Sequence, residues 1–148
     1  MKIIGIGNLL RRDDAAGRLL ASRIKKDFPA LDIIELDGEM TSLMEAWEGV
    51  DEAIVIDAIQ SESKPGSIYC LDVSEEPLPA FFQQSSTHGF GLAEAIELSR
   101  TFASLPQKMT VYGIEAMDLQ SGEGLSSAVA QAVDELHQRL KDELSLLK

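Results

Sequence analysis

Three side chains of this sequence could share one metal ion: Asp14, Asp57 and His88. Two carboxylates and an imidazole are hard-to-borderline donors that suit nickel, zinc or a similar divalent ion. Three ligands leave coordination positions open for a further group, and an open site is a functional one. Each residue also has a plainer reading. Asp13 or Asp14 could cap the first helix and favour its dipole. Asp57 could be a turn former at a strand end, and His88, beside Gly89, a simple loop residue.

What separates the two readings is whether the chain brings the three together. Residues 2–7 read as a buried strand, Asp14 to Asp27 as a helix with Leu19, Leu20 and Ile24 at helical spacing, and Leu31 to Leu36 as a second strand. Met40, Leu43, Met44 and Trp47 share one helical face, and Ala53 to Ala58 is apolar enough to be a central strand. Lys64-Pro65-Gly66 is a turn signal leading into a fourth strand, Ser67 to Asp72. So short a connection excludes a parallel return and implies an antiparallel neighbour. Val73 to Ser86 is acidic, proline-bearing and aperiodic, and reads as a long loop. A helix from about Gly91 to Ala103, a strand from Lys108 to Ile114 and a closing helix from Ser126 to Leu147 complete the order. In the closing helix Val129, Val133, Leu136, Leu140 and Leu144 face inward.

The fold class this implies is α/β: a single three-layer domain over residues 1–148, with a five-stranded, mostly parallel sheet, its fourth strand antiparallel, and helices on both faces. Such sheets bind ligands at the carboxyl ends of their strands. Asp13 and Asp14 follow the first strand at that edge, and Asp57 is expected to end the third strand there. The loop after the fourth strand must travel back to the same edge to start the next helix. That path delivers His88 beside the two acids.

Composition narrows the partners. Twenty-five acidic against thirteen basic residues give a net charge of −12, which repels both nucleic-acid phosphates and anionic lipid surfaces. Hydrophobic residues make up 45% of the chain, enough for a core, and one cysteine, Cys70, cannot form an internal disulfide. No apolar run approaches the roughly 20 residues that span a bilayer, and no leader pattern is evident. A cytoplasmic setting with no nucleic-acid or membrane partner is expected.

Gly5-x-Gly7-Asn8-Leu9-Leu10-x-x-Asp13-Asp14-x-x-Gly17 resembles the opening motif of the hydrogenase maturation proteases. The likeness continues through Leu36-Asp37-Gly38, Val55-Ile56-Asp57-Ala58, Pro65-Gly66-Ser67-Ile68-Tyr69, Ser86-Thr87-His88, Tyr112-Gly113-Ile114-Glu115 and Gly124-Leu125-Ser126. The resemblance implies an endopeptidase that removes a C-terminal extension from the large-subunit precursor of a nickel-iron hydrogenase after nickel insertion. It further implies that Asp14, Asp57 and His88 contact the nickel, which the substrate contributes, and that zinc or cadmium could occupy the same ligands in vitro. Two hydrolytic schemes stay open: metal-assisted polarisation of the scissile carbonyl or water, and general-base help from Asp14 or Asp57. A monomer is expected.

The sequence departs from the family pattern at a few positions. Asp14 stands where Glu is common, Glu39 stands where a second glycine often follows Asp37-Gly38 and could charge the cleft rim, and Arg11 and Arg12 replace small or apolar residues. The same residues bear on other functions. Gly5-x-Gly7 imitates a dinucleotide fingerprint, but Leu10 holds the third glycine position and two acids sit where phosphate would bind. A non-proteolytic metal-delivery protein would use the same three ligands. There is no Gly-x-Ser-x-Gly elbow and no His-Glu-x-x-His, Cys70 is expected to face the core, and His137 is expected to be a solvated or capping side chain. Met40, Met44 and Trp47 form either core or a docking stripe.

Overall fold

The structure, a computed structural model, describes residues 1–85 and 91–147. Strand β1 (Lys2–Ile6) leads through a 3-10 turn (Arg12–Ala15) into helix α1 (Ala16–Asp27). Then come β2 (Asp32–Leu36), α2 (Met40–Trp47), β3 (Glu52–Ile59), β4 (Ile68–Asp72), α3 (Ala80–Ser85), α4 (Leu92–Thr101), β5 (Lys108–Glu115) and α5 (Ser127–Ser145). The sheet order is β2-β1-β3-β5-β4, parallel throughout except for β4, which runs antiparallel to β5. The α/β architecture expected from the sequence is therefore the one found.

Alternation along the strands builds two cores. Ile3, Ile33, Ile54, Ile56 and Ile114 face α1 and α5, whose Leu20, Ile24, Val129, Val133, Leu136 and Leu140 close over them. Ile4, Ile6, Val55, Ile59 and Val111 face α2 and α4 on the other side. Each such aliphatic side chain contributes roughly 1.5–3 kcal/mol by leaving water. Trp47 is fully buried, and its indole N–H donates to the Ser99 hydroxyl at 3.0 Å, joining α2 to α4. That bond offsets the cost of burying a polar donor. Trp47 is thus core, whereas Met40 and Met44 line an open groove with Leu98 and Phe102.

Several boundaries differ from the sequence expectation, each for a physical reason. The helix expected from Asp14 begins at Ala16, because residues 12–15 adopt the tighter 3-10 form. The stretch read as one loop from Val73 contains α3, whose six residues are too few to show a helical period and which is pinned by the buried Phe82. Strand β3 continues two residues past Asp57, since β5 keeps pairing with it to Ile59↔Glu115. Cys70 does not face the core: β4 is an edge strand, and the thiol is exposed. It sits opposite Tyr112, whose hydroxyl burial pushes above the usual tyrosine range, with Cys70 adding to the shift. His137 is neither free nor a cap. Its Nε2 meets Asp27 Oδ2 at 2.6 Å, tying α5 to the end of α1.

Among the described residues, no helix is long and apolar enough to cross a membrane.

Gly17 is packed against two strands at once. A Cβ there would lie 2.3 Å from the Ile56 carbonyl oxygen and 2.5 Å from that of Ile6, both backbone atoms with no freedom to withdraw. Gly17→Ala should cost about 1–3 kcal/mol or more, read as a lower urea midpoint at an unchanged slope. The His137 contact, with smaller help from Lys141 and Arg23 against opposing desolvation, holds the Asp27 carboxyl below its ordinary range. A carboxylate depressed on folding stabilises above its unfolded pKa and loses that contribution as the pH falls through the folded value. The thermal midpoint should therefore fall more steeply below about pH 4 in the unaltered chain than in Asp27→Asn. Parallel acid profiles would show that the contact carries no linkage.

Candidate functional site

The carboxyl ends of β1 and β3 lie side by side, with Gly5 paired to Ile56 at the last shared step of their register. Over that edge the 3-10 turn folds back so closely that a Cβ on Gly7 would fall 2.0 Å from the Asp14 carbonyl oxygen. The start of α1 is equally tight, as Gly17 demonstrates. Only glycine allows the backbone to approach in this way. The turn that carries Asp14 is thereby set down directly on the strand that carries Asp57.

Both aspartates are fully buried. Asp14 Oδ2 accepts from the Asn8 backbone N–H at 2.9 Å, across the mouth of its own loop. Asp57 Oδ1 accepts from the Ala58 backbone N–H at 2.8 Å. Because Asp57 alternates with Ile56, its side chain shares the face of Val55 and Ile59, the face covered by α2 and α4. Its register partner on β5 is Gly113, where a Cβ would come 2.9 Å from the Phe82 ring. Phe82 of α3 thus walls this part of the sheet, a role hidden in the sequence because α3 was not legible there.

Asp13 does not take the capping role that the sequence left open. Neither it nor Asp14 caps α1: the N-cap position is Ala15, without a side-chain bond. Asp13 instead reaches the segment after β5. Its Oδ2 accepts from the backbone N–H groups of Met117 and Asp118 and from the Ser126 hydroxyl, each at 2.9 Å, while Oδ1 accepts from the Ser126 N–H at 2.7 Å. The backbones run together there too, with Gly122 N–H donating to Leu10 O at 2.8 Å and Arg12 N–H to Gly122 O at 3.1 Å. Arg11 and Arg12 add contacts to Leu119 O and to the Asp118 carboxylate. The two arginines that depart from the family pattern therefore hold this pair of loops together. Met117 and Ser126 were not foreseen as partners, although Ser126 lies within the Gly124-Leu125-Ser126 signature.

Glu39 has a structural role that its place in the motif did not announce. Its carboxylate folds back as the N-cap of α2, accepting from the Thr41 and Ser42 N–H groups at 2.9 Å each. Those backbone bonds hold its carboxyl below the usual glutamate range.

His88 lies outside the described residues, and among the described residues no group of three potential ligands is placed to hold a metal ion. The structure thus brings Asp14 and Asp57 to one buried edge. Oxygen donors of this kind can ligate a hard or borderline divalent cation or accept a proton from water. Two acids buried under the first helical turn are also incompatible with phosphate binding there, which removes the nucleotide reading.

Comparison with known proteins shows the family and the fold. The model of the hydrogenase maturation protease family matches residues 18–143, a span that includes Asp57 and His88 and begins just after Asp14. The chain is 28% identical over 137 residues to the hydrogenase 2 maturation protease of Escherichia coli K12, covering 89% of this chain and 82% of that one. The structure of the hydrogenase maturating endopeptidase HybD from E. coli superposes with a TM-score of 0.77 at 26% identity, covering 94% of this chain and 88% of that chain. The [NiFe] hydrogenase maturation protease HybD from Thermococcus kodakarensis has the same fold, with a TM-score of 0.72 at 24% identity over 95% and 96% of the two chains. Matched by the family model along most of its length, this chain belongs to the hydrogenase maturation protease family.

Proposed function

We propose that this endopeptidase cuts the C-terminal extension from the large-subunit precursor of a nickel-iron hydrogenase once nickel has been inserted, working in the cytoplasm. In this reading Asp14, Asp57 and His88 contact the nickel, which arrives with the substrate, so that only a loaded precursor completes the site. The observation that carries it is the burial of Asp14 and Asp57 at one carboxyl edge, in a chain of this family. His88 stands three residues ahead of Gly91, which precedes α4, and α4 covers the face that Asp57 shares.

The surface around the site supports a protein client. The rim beside the buried acids presents the exposed apolar side chains of Leu9, Leu10 and Met117, which suit contact with a polypeptide. Two roles for the aspartates are compatible with hydrolysis. As ligands they fix the substrate's metal beside the scissile bond, and as a base one of them takes a proton from the attacking water while the departing amine gains one.

Incubation with nickel-loaded precursor should release a short C-terminal fragment, detected by mass spectrometry, while nickel-free precursor stays intact. Asp57→Asn and His88→Ala should each abolish release with little change in the circular dichroism spectrum. Cleavage at the normal rate by either variant would sink the assignment of these ligands. Specific nickel binding with no fragment under any condition would favour the metal-delivery function instead.

A further inference from the structure

Asp13 is fully buried, has four hydrogen bonds to residues more than a hundred positions away, and is not one of the three proposed ligands. We infer that Asp13 is a positioning residue: it grips the segment after β5 so that the turn holds the Asp14 carboxylate at the site. This rests on the proposed function, in which Asp14 touches the substrate's metal.

The grounds begin with the turn. Successive residues of a 3-10 helix point about 120° apart, so the two neighbouring acids are aimed at different surroundings. Asp14 turns toward Asn8 and the end of β1, and Asp13 turns toward Ser126 and α5. Asp13 fixes the turn by backbone as well, its N–H donating to Asp118 O at 3.0 Å.

The turn needs such a hold. Arg12, immediately before Asp13, has φ of 42°, a left-handed conformation that a residue with a side chain adopts at a cost. Backbone of this kind persists only where surrounding contacts over-determine it. On one side the contact is Gly7, which leaves the turn no room to sink. On the other it is the Asp13 carboxylate.

Ser126 shows how far this hold dominates its surroundings. It occupies the N-cap position of α5, where a serine hydroxyl ordinarily accepts from its own helix, yet it makes no such bond. Its hydroxyl is given to Asp13 instead.

The test compares Asp13→Asn and Ser126→Ala with Leu144→Ala, which weakens α5 in the core at a distance from the turn. All three are assayed well below their thermal midpoints. Two quantities are read: kcat and KM for release of the fragment from nickel-loaded precursor, and hydrogen exchange of the Asn8 amide, whose bond to Asp14 reports where that carboxylate lies. Asp13→Asn should lose about tenfold to a hundredfold in kcat with KM nearly unchanged. Its Asn8 amide should exchange faster, with Ser126→Ala shifted the same way by less and Leu144→Ala showing neither change. A kcat loss no greater than that of Leu144→Ala, or a loss confined to KM, would overturn the inference. Should the unaltered chain release no fragment, the proposed function fails, and exchange at Asn8 alone decides the role of Asp13. Faster exchange in Asp13→Asn than in Leu144→Ala upholds it, and equal exchange rejects it. Should Asp13→Asn not fold, Ser126→Ala takes its place in both comparisons, and the same outcomes uphold or reject the role.

Discussion

Two short segments of backbone lie closer together at the carboxyl edge than side chains would permit. Gly5 and Gly7 at the end of β1, and Gly17 in the first turn of α1, each face backbone atoms where a methyl group has no space. This closeness lets a turn of only four residues lie flat on β1 and β3, and it is why Asp14 can be buried directly over a strand instead of standing out on a flexible loop. The remaining features of the edge are consequences. Arg12 takes an unfavourable φ to keep the turn low, and the segment after β5 comes across to cover what the turn leaves open.

Burial gives these acids a particular character. An aspartate has about four acceptor sites. Asp13 accepts four hydrogen bonds, all from the distant segment after β5, so it is chemically spent on architecture. Asp14 and Asp57 each accept from backbone close by in the chain, a bond that steadies the carboxylate from within its own turn or strand. Two adjacent residues of identical type, Asp13 and Asp14, thus serve different ends, one by joining remote parts of the chain and the other by its orientation at the edge.

The sequence was most readable where periodicity was long. The strands, the order β-α-β-α-β, the antiparallel β4 and all five inward positions of α5 could be seen in advance, because each rests on a repeated pattern of apolar residues. Asp14 and Asp57 could be placed on one edge for the same reason, since topology alone sends both there. What escaped was decided by contacts between distant parts of the chain. Nothing local distinguishes Asp13 from Asp14. Cys70 lies in an apolar run but on an edge strand, and His137 finds Asp27 only when α1 and α5 pack. Glu39 looked like an intruder at a glycine position, and a helix start supplied two N–H groups for it to accept. The resemblance to a family supplied the substrate class, which no amount of periodicity contains.

The partners of Asp13 lie 104, 105 and 113 residues downstream of it. During synthesis the first strand and helix leave the ribosome long before those partners exist, and β5 must then insert between β3 and β4, both made earlier. Until that insertion the turn has no carboxylate clasp, and Arg12 has no reason to stay strained. An emerging chain of this protein therefore lacks part of this edge until residues 117–126 have been made. Closure of the sheet, with the segment after β5 drawn onto the turn, is the step that completes this edge.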